Sequence, residues 1–161
     1  MTDRIEILQT IAVFGGLQRD TLQFLLDRTR RVSVAAGDWF FRENDTGSTF
    51  YVLEQGEVTI TRHWQGSDYE LSRRGEGDCF GEMSLIDLYP RSASVQALTD
   101  CRAIELSNAE LYELYQHDLE QFTLIQMNIG RELSRRLREA TGALFEARFT
   151  AHEGLPADYP A

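Results

Sequence analysis

The sequence predicts a mainly β domain of the α+β class: an antiparallel β-roll of the jelly-roll kind, with short N-terminal helices before it and a long C-terminal helix after it. Three observations carry that prediction. Apolar residues recur at three-to-four spacing up to about position 28, the period changes to two from about Arg31, and the helical period returns beyond Ser107. Residues 3–14 (DRIEILQTIAVF) and 17–28 (LQRDTLQFLLDR) flank Gly15-Gly16 and read as two short amphipathic helices. RVSVAAG, DWFFREN, STFYVLEQG, EVTITRHW, DYELSRRGEG, ASVQAL and CRAIELS follow as strand-like runs divided by Gly, Asp and Asn turns. NAELYELYQHD resumes the helical pattern. Leu119 to Phe149 reads as one helix of about 30 residues, against an average of about 11 to 12. Three segments result: a roll with its N-terminal helices over 1–116, a lid or dimerisation helix over 117–149, and a flexible tail over 150–161 that lacks an apolar stripe.

Composition narrows the function. A chain of 161 residues with 42% hydrophobic and 26% charged residues can bury one core. The net charge is −10 and all 16 basic residues are Arg, so a nucleic acid backbone would meet mainly repulsion and is a poor direct partner. No window approaches the roughly 18 apolar residues of a membrane helix, and acids interrupt MTDRIEILQTIAVFGG, so the expected location is cytoplasmic with no membrane partner. Cys79 and Cys101 match neither a disulfide framework nor a paired zinc spacing and read as free thiols. His63, His117 and His152 are isolated, which argues against a metal or other cofactor. No nucleophile has a base nearby, so the chain does not read as an enzyme.

The strand pattern is interrupted at Phe80 to Val95, FGEMSLIDLYPRSASV, and the candidate binding residues lie there. Gly81 lets a ligand lie against the backbone, and the amides of Glu82, Met83 and Ser84 open a helical turn whose positive end suits an anion. Arg91, stiffened by Pro90, can give two parallel hydrogen bonds to phosphate oxygens and stays charged. Ser92 offers a hydroxyl, and Ala93 an amide with no bulk. Glu82 is only an acceptor, suited to a sugar hydroxyl at the other end of the ligand. The alternative for these two residues is an ordinary Glu82–Arg91 surface ion pair with Gly81 as a plain turn.

This segment resembles the phosphate-binding cassette of the cyclic nucleotide-binding domain family: Phe-Gly-Glu, a short helix, Pro-Arg, a small residue and Ala. Upstream, Ala36-Gly37-Asp38, Arg42-Glu43-Asn44-Asp45, Phe50-Tyr51-Val52-Leu53 and Gly56-Glu57-Val58 are similar too, as are Gly75 and Gly77, so the resemblance covers roughly residues 10 to 147. It implies that Glu82 binds the ribose 2′-hydroxyl, that Arg91 pairs with the cyclic phosphate, and that Gly81, Ser92 and Ala93 complete the cradle. Similarity to the bacterial catabolite activators adds Ile60, Leu71 and Ser72 near the base, with Arg136 and Thr141 reaching down from the long helix. The Glu82-to-Arg91 spacing instead looks like the eukaryotic kinase regulatory domains. Serine after Arg91 lies between the family's cAMP and cGMP choices; cAMP is preferred here and cGMP stays open.

On the long helix, Leu133, Leu137, Ala140 and Leu144 repeat with Ala147 at heptad-like spacing, a seam suited to a homodimer. Phe122 and Ile125 read instead as docking onto the roll of their own chain. Since the bacterial activators continue into a helix-turn-helix that this sequence lacks, the expectation is a standalone cyclic nucleotide receptor acting on an unknown protein partner in trans. A dimeric interaction module on the same fold, without a ligand, is the alternative.

Overall fold

A computed structural model describes residues 3–153. Asp3 opens α1 (Arg4–Gln9) with a capping box in which its carboxylate accepts from Ile5 N–H and Glu6 reaches back to the Asp3 amide. The Thr10 hydroxyl donates to Ile7 O at 2.6 Å, and the chain tightens into a 3-10 turn over Ala12–Phe14 before α2 (Arg19–Leu26). The expected helix over 3–14 is therefore two shorter pieces.

Eight strands make two four-stranded antiparallel sheets. They are β1 (Arg30–Val34), β2 (Trp39–Phe41), β3 (Thr49–Gln55), β4 (Val58–Trp64), β5 (Ser67–Arg74), β6 (Cys79–Phe80), β7 (Ser94–Ala97) and β8 (Cys101–Ser107). One sheet has the order β1-β8-β3-β6 and the other β2-β7-β4-β5. Seven strands follow the period-two runs of the sequence; β6, two residues long, is too short for any period to show.

The first sheet is covered on both faces, so Phe50 to Leu53 of β3 are buried consecutively rather than alternately. Phe50, Val52, Ile104 and Leu106 face a core shared with the helices, including Leu8, Phe14, Leu22, Leu114 and Ile125. Tyr51, Leu53 and Ala103 turn into the roll against Val58, Phe80 and Val95. Burying each large apolar side chain stabilises the fold by about 1.5–3 kcal/mol.

α3 (Glu82–Asp87) is inserted between β6 and β7, and α4 (Asn108–His117) and α5 (Leu119–Glu153) follow β8. Ser107 caps α4 with a second capping box through Glu110. The first half of α5 is fastened to the N-terminal turn: Asn128 Nδ2 donates to Val13 O at 3.2 Å and Gly15 O at 2.8 Å, and Gln121 Oε1 accepts from Gln18 N–H at 2.8 Å. Ile125 and Ile129 are buried beside these anchors, and Phe122 and Leu133 pack against the same core. From Leu137 to Ala151 every residue is exposed. The helix runs past the expected boundary at Phe149 to Glu153, the last described residue; the rest of the tail expectation, 154–161, lies outside the described residues.

Candidate ligand-binding site

α3 begins where β6 ends, and Gly81 makes the junction at φ 85°. A Cβ there would lie 2.8 Å from Arg91 Nη1 and 3.1 Å from Thr49 O, so both the backbone angle and the packing require glycine. The turn carries Glu82 and Ser84 inward, both buried, and leaves Met83 about half exposed. Ser92 is exposed with its hydroxyl 3.8 Å from Met83 Sδ, and Ala93 is buried.

Arg91 is buried within the protein's own bonds. Nη1 donates to Thr49 O at 2.8 Å and Gly81 O at 3.1 Å, and Nη2 donates to Thr49 Oγ1 at 3.1 Å. The guanidinium lies 4.0 Å from the centre of the Phe41 ring. Its backbone is gripped as well, with Arg91 N–H donating to Asp45 O and Asn44 N–H to Arg91 O. Gly47 presses against the side chain, since a Cβ there would lie 2.6 Å from Nε. Burial lowers the guanidinium's pKa, and the group stays charged at ordinary pH. Two donors remain, one on Nε and one on Nη2, the edge of the guanidinium from which two parallel hydrogen bonds can still be given.

Glu82 does not pair with Arg91. Its Oε1 accepts from Arg136 Nη1 of α5 at 2.7 Å, and Arg136 Nη2 also donates to Cys79 O. Arg136 thus turns into the body, with Glu132 beside it, while Arg135, Arg138 and Glu139 stay exposed. Burial is the largest single influence and lowers its pKa, but Glu82, Cys79 and Glu132 together outweigh burial and hold it above the ordinary value. Burial pushes the neighbouring Cys79 thiol up to about 12.

The outer candidates divide. Ile60 and Ser72 pair directly across β4 and β5 and are half-buried, whereas Leu71 faces outward, 58% exposed, because alternation along β5 turns it away. Thr141 is exposed and its hydroxyl donates to Leu137 O of its own helix, so α5 brings Arg136 to the site and not Thr141.

Four side-chain polar atoms are buried without a protein partner among the described residues: Arg74 Nε, Glu82 Oε2, Arg91 Nε and Arg136 Nε. Glu82 is bonded to Arg136 and follows Gly81, whose carbonyl takes Arg91 Nη1, and its charge weakly favours the cation of Arg74. Three guanidinium donors and one carboxylate acceptor suit a small hydroxylated anion. Open hollows of about 460 Å³ beside α1 and about 310 Å³ beside the β4–β5 hairpin contain none of the candidate residues. Sequence reasoning missed Phe41, Gly47, Thr49, Arg74 and Cys79. Of these, only Gly47 left a trace, in the turn Asp45-Thr46-Gly47-Ser48.

A family profile described as "Cyclic nucleotide-binding domain" matches residues 31–118. The Cyclic AMP receptor protein of Thermus thermophilus is 33% identical over 129 residues, covering 80% of this chain and 58% of that protein. The CRP-like cAMP-activated global transcriptional regulator of Mycobacterium tuberculosis is 30% identical over 146 residues, covering 90% and 63%. The chain therefore spans about six tenths of the length of these curated relatives. Among solved structures, the Thermus thermophilus Catabolite Activator Protein superimposes with a TM-score of 0.75 at 32% identity, covering 86% of this chain and 63% of that one.

Proposed function

The chain belongs to the cyclic nucleotide-binding domain family, and we propose that it is a cyclic nucleotide receptor, binding cAMP in preference to cGMP, that regulates a partner protein in trans. The observation that carries this is the gathering of every partnerless buried side-chain polar atom of the described residues around Glu82. In this reading the two remaining donors of Arg91 and the backbone around Gly81, Ser92 and Ala93 take the cyclic phosphate. Glu82 Oε2 accepts from the ribose hydroxyl while Oε1 keeps Arg136, so ligand and α5 share one carboxylate. That sharing is how α5 would sense the ligand, with a shift no larger than the ligand's differential affinity for the two helix positions. The names of the two relatives, the Cyclic AMP receptor protein and the CRP-like cAMP-activated global transcriptional regulator, support the adenine choice.

For the output, Leu137 and Leu144 are each more than half exposed on the part of α5 beyond its anchors, as are Phe145 and Phe149 beside them, and a second copy of α5 is the occupant that the heptad-like spacing of Leu137, Ala140 and Leu144 fits. The acidic balance, −10, disfavours nucleic acid contact through these residues. Among the described residues no helix is long and apolar enough to cross a membrane. Cys79 and Cys101 are unpaired and buried, compatible with a reducing cytoplasm.

One observation favours the module without a ligand: Arg136 already occupies Glu82 Oε1, and Thr49 and Gly81 already occupy most of Arg91. Calorimetric titration with cAMP, cGMP and 5′-AMP separates the two readings. Saturable binding in the order cAMP, cGMP, 5′-AMP is expected, accompanied by a rise in melting temperature with ligand concentration. Absence of heat and of any melting shift with both cyclic nucleotides would establish the interaction module instead.

A further inference from the structure

Arg74 closes β5 and carries a buried Nε without a partner, which the cradle for phosphate and ribose leaves unused. It pairs with Val58 across β4, which places its side chain on the sheet face that Val58 turns into the roll; Ser72, opposite Ile60, shares that face. Its neighbour Arg73 is bound to Glu70 at 3.1 Å and lies near Glu57. Arg74 forms no ion pair among the described residues. Its single hydrogen bond runs from Nη1 to Arg73 O at 2.9 Å, and Nε is buried with nothing to donate to. The acid of the adjacent turn, Asp78, accepts from Gly75 N–H instead. Burial and the nearby Arg136 charge both disfavour the cation here, with Asp78 and Glu82 opposing them. A half-buried guanidinium beside a second one, with an unmatched N–H, destabilises the fold until an acceptor completes it.

We propose that Arg74 is the base-reading residue of this site, its Nε–H donating to N7 of a purine, so that the site selects purine over pyrimidine cyclic nucleotides. The inference rests on the receptor reading. One buried unmatched N–H calls for one acceptor, and N7 is common to adenine and guanine and absent from cytosine and uracil. Arg74 therefore sets the class of base and leaves the choice between cAMP and cGMP to other groups. Ile60 and Ser72, on the same face, flank the base; Leu71, pointing outward, does not.

The test is calorimetry of the whole chain with cAMP, with 7-deaza-cAMP, in which C–H replaces N7, and with cCMP. The unsubstituted chain is expected to bind cAMP about tenfold more tightly than 7-deaza-cAMP, and cCMP more weakly than cAMP. Arg74→Met, its folding checked by melting, is expected to bind cAMP and 7-deaza-cAMP alike. Equal affinity of the unsubstituted chain for cAMP and 7-deaza-cAMP overturns the role of Arg74, whether or not the variant folds. So does a preference for N7 that survives in Arg74→Met. If the unsubstituted chain binds no cyclic nucleotide, the receptor reading itself falls, a result that neither of those outcomes resembles.

Discussion

Arg91 shows how one residue can carry two duties that pull a test in different directions. Its Nη groups tie Thr49 of β3 to the Gly81 junction, while Nε is left without a partner. Removing the side chain therefore strips donors from two carbonyls and a hydroxyl as well as from any phosphate. Arg91→Ala is expected to lower cAMP affinity by on the order of 2–5 kcal/mol and also to destabilise the fold, by about 1–3 kcal/mol for each buried acceptor left unmatched. Calorimetry and denaturant melts on the same variant separate the two effects. Affinity for cAMP unchanged in a folded Arg91→Ala protein would remove Arg91 from the phosphate site. At this scale the residue types of the cradle were legible, because Gly81, Glu82 and Arg91 are contiguous with the cassette pattern. Arg74 was not legible, because its significance is the missing partner, which only packing reveals.

At the scale of elements, α5 has two halves with different fates. Ile125, Ile129 and the Asn128 amide fix the first half to its own chain, and Arg136 fastens the middle to Glu82. Beyond that point, from Leu137 to Ala151, every residue is exposed. Leu133 sits at the division, packed against the protein's own core, so substituting it would confound stability with association. Leu137, 68% exposed, is the clean probe. Leu137→Asp is expected to halve the mass measured by light scattering while the melting transition of the roll changes by no more than about 0.5 kcal/mol, as for an ordinary surface substitution. A variant that stays dimeric would place the interface elsewhere. The heptad-like spacing was readable directly. Which leucines face the roll was not, since a helix has one apolar stripe and two possible partners for it.

For the molecule as a whole, stability is bounded by acid on one side and by thiol ionisation on the other. The Glu43 carboxyl is held below its ordinary value by the His63 backbone N–H and then by Arg62, and Glu70 by the Thr59 hydroxyl and then by Arg73. A carboxylate with a lowered folded pKa stabilises above its unfolded value, near 4.5, and that contribution is lost as pH falls through the folded value. The Cys79 thiol has the opposite sign. Its pKa is raised to about 12 from 9.0, so its contribution is complete below 9.0 and declines as pH rises toward 12. Denaturant melts are expected to show a plateau between these limits and an alkaline decline of about 1.4 kcal/mol per pH unit for each such thiol. Cys79→Ala should shed one thiol's share of that decline; an unaltered alkaline slope would exclude Cys79 as its source.

Period and turn chemistry alone determined the order helix, roll, helix, because alternation and three-to-four spacing are local properties of the chain and survive without knowledge of its neighbours. The cassette residues were equally available, being adjacent in sequence. Only the tertiary structure decided that Glu82 belongs with Arg136 rather than Arg91, 54 positions away along the chain instead of nine, and that Arg91 leans on Phe41, Gly47 and Thr49. It also decided that β3 is buried on both faces. Long-range pairing depends on which surfaces meet when sheets and helices close on one another. A linear pattern holds no record of that meeting.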